Sequence, residues 1–264
     1  MTPRYQTLSR IAETGFSTVD HVLDRETGRE AALKRPRLGN AEALKQLETE
    51  AAVLSGLRHD HIVKLLGGGA DEHGRYLAFE WIEGPSLDSV IHQRPAGDDQ
   101  LGRLLPPLLR ALIAVHAAGW CHADLSASNI LIHATSGAPA LIDFGNASAL
   151  EDDRPRNLED ANIGSIHHMA PELFAGRPPS VRSDLYALGV IAFHALTGRY
   201  PFEGSSKAQI ITAHLRQPRP LLPHSILGPW IHGLLSRDPA ARPVSAEAAL
   251  LALPVDSGRW RDDQ

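Results

Sequence analysis

The chain has 264 residues, of which 43% are hydrophobic and 22% charged, a balance that excludes a disordered polar chain. A formal net charge of −5 with a pI near 6.3 excludes any general attraction to nucleic acid or to anionic membrane. The single cysteine, Cys121, excludes an internal disulfide, the segment Met1 to Ile11 is polar rather than a signal sequence, and the longest apolar stretches, such as Ala187 to Leu196, fall short of a membrane helix of about 20 residues. A protein of the cytoplasm, with neither nucleic-acid nor membrane partners, is the expectation.

Apolar alternation predicts strands over Tyr5 to Ile11, Thr18 to Asp24 and Glu30 to Arg35, joined as a meander by Gly15 and the Glu26-Thr27-Gly28 turn. Ala41 to Leu57 carries apolar residues at 43, 44, 47, 51, 54 and 57, a helical stripe. Ile62 to Leu66 and Tyr76 to Trp81 return to strand character on either side of a Gly67-Gly68-Gly69 break. Glu83-Gly84-Pro85 then reads as a hinge, with helices predicted beyond it at Leu87 to Gln93, Asp99 to Ala118, Val181 to Leu196, Ser206 to Leu215, Pro229 to Leu235 and Ala246 to Leu253. Asn146 to Ser165 is acid-rich and aperiodic and reads as a long functional loop, and Asp256 to Gln264 as a solvated tail. The predicted fold class is α+β: an N-terminal lobe over 1–82 with a five-stranded antiparallel sheet and one helix, and a mainly helical C-terminal lobe over 83–255, with a cleft between them.

The chemistry concentrates in His122-Ala123-Asp124-Leu125-Ser126-Ala127-Ser128-Asn129 and in Asp143-Phe144-Gly145. Between them Ile130-Leu131-Ile132 and Ala140-Leu141-Ile142 flank a Thr135-Ser136-Gly137 turn, a hairpin that brings Asn129 and Asp143 to one end. Carboxylate and carboxamide oxygens are hard ligands that suit Mg²⁺, which completes its shell with water and substrate phosphates. A phosphate-transfer site is the first hypothesis. Fourteen histidines invite a zinc reading, but the close pairs His59/His61 and His167/His168 have no cysteine or carboxylate completing a pattern beside them.

These two runs resemble the catalytic and metal-binding loops of protein kinases, and the resemblance extends over about Tyr5 to Leu253. Ala31-Ala32-Leu33-Lys34 is similar to the strand whose lysine holds nucleotide phosphates, and Glu50 to its helix partner; Glu48, two residues earlier, faces elsewhere on the helix. Met169-Ala170-Pro171-Glu172, Asp184 and Arg242 resemble the supporting Ala-Pro-Glu, helix-aspartate and arginine motifs, with Glu172 pairing Arg242 and Asp184 tying down the catalytic loop. The resemblance implies Asp124 as the base, Asn129 and Asp143 as metal ligands, Phe144 and Gly145 as their support, and ATP with Mg²⁺ as substrate and cofactor. It further implies Phe79 as gatekeeper, Glu80 to Ile82 as the adenine-contacting hinge, and Val19, Ala32 and Leu131 around the base.

Three departures bear on activity. The glycine-rich loop aligns with Ala12-Glu13-Thr14-Gly15-Phe16-Ser17-Thr18-Val19, where Gly15 is displaced by one and β-branched Thr14 disfavours the positive φ that glycine permits. The family arginine before the base is Ala123, which implies activity independent of loop phosphorylation. The usual lysine is Ser126, and losing such a cation slows turnover by roughly 30- to 150-fold. The run Asp124 to Asn129 also resembles the D-L-S-x-x-N of RIO-type atypical kinases. The leading expectation is a bacterial-type serine/threonine protein kinase acting on a protein hydroxyl. The alternatives are a pseudokinase that binds nucleotide or a partner without efficient transfer, and a small-molecule kinase, which the Ala-Pro-Glu segment disfavours. Neither the protein substrate nor the oligomeric state is legible.

Overall fold

A computed structural model describes residues 4–155 and 163–254. The predicted tail at Asp256 to Gln264 and residues 156–162 of the long loop lie outside the described residues.

Five strands build the first half: β1 (Tyr5–Glu13), β2 (Ser17–Asp24), β3 (Arg29–Pro36), β4 (Leu65–Asp71) and β5 (Gly74–Glu80). They form one antiparallel sheet in the order β1-β2-β3-β5-β4. Helix α1 (Ala41–Ser55) crosses between β3 and β4; Asn40 opens it by accepting the Ala43 N–H at 3.0 Å, which satisfies one of the donors a helix start leaves over. Of the predicted apolar face Ala43, Leu47 and Leu54 are buried and Leu44 and Ala51 partly so, Leu57 lies past the helix end, and Val53, outside that stripe, is buried with them as the helix seats on the sheet.

The predicted glycine break is instead part of a strand. β4 runs through Gly67-Gly68-Gly69, and the Ile62 to Leu66 strand begins only at Leu65. A Cβ on Gly68 would stand 3.1 Å from the Tyr76 carbonyl oxygen, so the bare backbone is what lets β5 approach; ladder bonds rather than side chains hold this edge, with a register shift between Leu65 and Gly67. Ile62 and Val63 do a different job. The Val63 N–H bonds to Leu141 O at 2.9 Å and the Leu141 N–H to His61 O at 2.8 Å, which ties the first half to the hairpin beyond the hinge.

The hinge lies along that same hairpin, formed by β7 (Ile130–Ile132) and β8 (Pro139–Leu141). Ala134 N–H bonds to Glu83 O at 2.8 Å and Ile132 N–H to Pro85 O at 2.9 Å. Gly84 is required here: its φ is 152°, and a Cβ would fall 1.9 Å from Ile132 O.

The second half is helical. α2 (Leu87–Gln93), α3 (Asp98–Ala117), α6 (Val181–Thr197), α7 (Lys207–Arg216), α8 (Gly228–Leu234) and α9 (Ala246–Leu251) fall within two residues of their predicted bounds. α3 keeps its course through Pro106 and Pro107, because Leu101, Leu105, Leu108, Leu109, Leu112 and Val115 bury one continuous face. Ser180 and Ser183 form a capping box at the start of α6, and Gly198 ends it in the left-handed conformation at φ 71°.

The loop predicted over Asn146 to Ser165 holds regular structure at both ends. β9 (Ser148–Ala149) pairs with β6 (Trp120–Cys121), and the end of the loop is already helix, since α4 spans Ile163–His168 ahead of α5 (Pro171–Phe174). Two-residue strands and a six-residue helix are too short to leave a periodic signal. Among the described residues no helix is long and apolar enough to cross a membrane.

Candidate active site

Lys34 lies on β3 with its ammonium between two carboxylates, Nζ standing 2.6 Å from Glu50 Oε2 on α1 and 2.8 Å from Asp143 Oδ1 beyond the hairpin. Burial lowers the lysine's proton affinity, but the charges of Glu50 and Asp143 outweigh it and hold the ammonium above its ordinary range. Burial raises Glu50, and its net shift is upward despite Lys34. Burial also opposes ionisation of Asp143, yet the Lys34 charge and hydrogen bond, with the Gly145 amide at 3.3 Å, bring it below the usual carboxylate range. Glu50 has a second task, its Oε1 accepting the Phe144 N–H at 3.1 Å. Glu48 points elsewhere and pairs with Arg75 at 2.7 Å, as its place on the helix predicts.

Two non-glycine residues among those described have positive φ, Ala123 at 61° and Asp143 at 62°. Each such residue costs roughly 1–2 kcal/mol and persists where its surroundings over-determine it. Asp184, buried on α6, does this for the catalytic loop: it accepts the His122 N–H at 2.8 Å and the Ala123 N–H at 3.0 Å, and a third bond at 3.0 Å from His116 Nε2 on α3. Burial raises the Asp184 carboxyl, but these donors and the nearby histidines hold it low. His122 also donates from Nε2 to Ile142 O at 3.2 Å, joining the catalytic loop to the strand that leads to Asp143.

Asp124 and Asp143 line one cavity of about 690 Å³, together with Lys34, Gln46, Asn146 and Ser165. Thr14, Phe16 and Ser17 close it from the β1–β2 turn. Asn129, in a single 3₁₀ turn, donates from Nδ2 to the Asp124 carbonyl oxygen at 2.9 Å, which turns its carboxamide oxygen away from that bond. Both bonds to Asp143 fall on Oδ1. One carboxamide and one carboxylate oxygen are a hard, two-ligand set that fits Mg²⁺ and leaves its other positions to water and phosphate. Among the described residues no group of three or more His, Cys, Asp or Glu is placed to hold a metal.

Asn129 and Glu50 lie outside that cavity's lining, as do the residues predicted around the nucleotide base. Val19 stands opposite Lys34 in the β2–β3 register, Ala32 opposite the buried Phe79, and Leu131 bridges to Ser86 at the hinge. Ile82 is buried in the main core, and the Glu80 N–H and carboxylate are both engaged by the Lys64 backbone, at 3.0 and 2.9 Å. Ala12 and Gly15 are exposed at the sheet tip. In keeping with its β-branch, Thr14 has no positive φ, and neither has Gly15; the Thr14 hydroxyl accepts the Phe16 and Ser17 N–H groups at 3.2 and 3.0 Å and closes the turn itself.

Two support residues lie farther off. Arg242, fully buried, forks onto Glu172 with both nitrogens at 2.7 Å and also donates to Ser236 O and Arg182 O. Ser126 bonds to the Ser128 hydroxyl at 2.9 Å, and Ala123 borders a small cavity with Ser165 and His168. Sequence reasoning passed over His116, Gln46 and Asn146, and weighed His168 only as a member of a close histidine pair. Gln46 carried a signal, since it lies one helical turn before Glu50, and so did Asn146, which directly follows Asp-Phe-Gly. His116 had none.

Comparison with known proteins identifies relatives of the chain. The protein kinase domain family matches residues 5–250. The chain is 32% identical, over 82% of its length, to a probable serine/threonine-protein kinase PknB of Lactococcus lactis. It is 31% identical over 98% to serine/threonine-protein kinase pkn3 of Myxococcus xanthus, and 33% identical over 83% to serine/threonine-protein kinase PknA of Mycobacterium tuberculosis. The matched regions cover 35%, 51% and 53% of those three relatives.

Proposed function

This chain belongs to the protein kinase family, and from that premise we propose that it transfers the γ-phosphate of ATP to a serine or threonine hydroxyl of a protein. The observation that carries the reading is the Lys34 ammonium held at 2.6 and 2.8 Å between Glu50 and Asp143, which sets a cation at a fixed point of the cavity that Asp124 also lines. Lys34 would bind the nucleotide phosphates there, and Asn129 and Asp143 would hold Mg²⁺, whose charge would offset that developing on the phosphates. The Asp124 carboxylate orients the attacking hydroxyl and takes its proton as the new P–O bond forms and the bond to the leaving diphosphate oxygen breaks, a role that contributes about 10²- to 10⁴-fold. Ser165, which lines the cavity beside Asp124, and the names of the relatives support serine and threonine as acceptors.

Two features set the level of activity. Ala123 offers no cation for a phosphorylated loop, so activity is independent of loop phosphorylation; phosphatase treatment that abolished it would sink this point. Ser126, engaged with Ser128, supplies no charge to the transferring group, so turnover is slow. These same departures favour a second reading, a pseudokinase that binds nucleotide or a partner. Incubating wild type and Asp143→Ala with labelled ATP, Mg²⁺ and generic protein substrates separates the two. Incorporation that depends on Asp143 supports the kinase; equal incorporation alongside measurable nucleotide binding supports the pseudokinase.

A further inference from the structure

Helix α1 grips the metal-binding loop at two points. Gln46 and Glu50 are one turn apart and share a face. Glu50 takes the Phe144 N–H, and Gln46 donates from Nε2 to Asn146 Oδ1 at 3.3 Å. Between them Gly145 lies so close that a Cβ would stand 3.3 Å from Gln46 Cβ. Asn146 then reaches across the cavity, and its Nδ2 donates to Asp124 Oδ2 at 3.1 Å.

The order of these groups is fixed by chemistry. An ionised carboxylate only accepts, so the amide nitrogen of Asn146 must face Asp124 and its oxygen must face Gln46, which in turn must present its own nitrogen. The result is a directional relay from a helix of the sheet half to the base in the helical half. Asn129 holds the backbone of Asp124 through its carbonyl; Asn146 holds the carboxylate, whose terminal torsion is otherwise broad. We infer that Asn146 is a positioning residue for Asp124 and that Gln46 sets its polarity, so that the seating of α1 governs the aim of the base as well as that of Lys34. The inference rests on the kinase reading given above.

The polarity makes it testable. Asn146→Ala removes the donor. Gln46→Glu offers an acceptor, turns the Asn146 amide over and puts its oxygen against Asp124. Gln46→Lys remains a donor. Steady-state kinetics with ATP, Mg²⁺ and casein should show kcat lowered about 10-fold in Asn146→Ala, the loss of one charge-assisted hydrogen bond, with KM for ATP within about 2-fold. Gln46→Glu should match that loss, Gln46→Lys should keep several-fold more activity than Gln46→Glu, and neither should alter kcat further in the Asn146→Ala background. Wild-type kcat in Asn146→Ala overturns the inference. So does a Gln46→Glu loss that persists undiminished in the Asn146→Ala background, since that marks a through-space charge effect. An Asp124→Asn control separates the two levels: if it equals wild type, the kinase reading falls; if wild type transfers phosphate through Asp124 and Asn146→Ala is unchanged, only the positioning role falls.

Discussion

The Asp184 carboxylate accepts the backbone N–H groups of both His122 and Ala123, and so holds Ala123 at a φ of 61° in the residue before Asp124. One buried side chain thereby fixes the backbone from which the base projects. Asp184→Asn keeps the shape but replaces one accepting oxygen with a donor facing another donor. Breaking a buried charge-assisted set costs about 3–5 kcal/mol, which lowers Tm by roughly 10 °C in a chain of this size. Scanning calorimetry checks the stability, and kcat should fall with KM for ATP nearly unchanged because Lys34 is untouched.

Lys34 and Glu50 give a sharper separation of binding from structure. Lys34→Met leaves the buried Glu50 carboxylate facing that of Asp143, neighbours of like charge, and phosphoryl transfer should fall by about 10²-fold or more, in line with the loss of a preorganised electrostatic contact. Glu50→Gln should cost less, about 10-fold, because Asp143 still holds the ammonium at 2.8 Å. Equal losses in the two variants would show that Glu50, rather than the cation, carries the effect.

Arg242 and Glu172 join segments far apart in sequence, and their worth lies in pairing. Each single alanine variant should destabilise by about 3–5 kcal/mol by leaving a buried charge alone. The double variant Glu172→Ala, Arg242→Ala should cost clearly less than the two singles together, a coupling measurable by urea denaturation. Strict additivity would mean that Arg242 acts through its carbonyl contacts to Ser236 and Arg182.

Ser126→Lys tests the proposal of slow turnover. Ser126 is buried and tied to Ser128, so the lysine stem must leave that pocket and direct its ammonium into the cavity. The expected outcome is a kcat raised about 10-fold or more, the reverse of the charge lost at this position. An unchanged kcat in a folded variant would separate slow turnover from this residue.

The sequence marks the candidate site residues by motif, and the frame around them only in part. Asp124, Asn129, Asp143 and Lys34 stand in motifs whose order and residue types are legible without coordinates, and Glu50 follows from a helical stripe that the apolar spacing marks plainly. β4 was misplaced because three glycines carry no side-chain pattern, and the bonds that make them a strand come from β5. His116 was invisible for a related reason: it is one residue in an amphipathic helix until α3 and α6 pack together and bring it to Asp184. Thr14 shows the converse: its β-branch argues against a positive φ, the turn has none there, and the hydroxyl closes it by bonding two following N–H groups.

Buried histidines give the chain a pH dependence distinct from that of its carboxylates. Burial pushes His168 down to about 4 and His214 to about 3, and it also lowers His167 and His194. In the unfolded chain each returns to about 6.5, so between that value and the folded one the unfolded state binds more protons. Stability from these groups is therefore present in full above about pH 6.5 and is lost as pH falls toward 4, whereas the depressed carboxylates Asp24, Asp143 and Asp184 lose theirs only below about 4. His168 alone accounts for about 3 kcal/mol across its window, at about 1.4 kcal/mol per pH unit. Urea denaturation of wild type from pH 7.5 to 4.5 should show stability falling throughout the lower half of that range. His168→Phe keeps the ring contact with Tyr200 while removing the titrating nitrogen, so its slope near pH 5 should be shallower by about one proton. A slope identical to wild type would mean that His168 becomes protonated in the folded chain as readily as in the unfolded one.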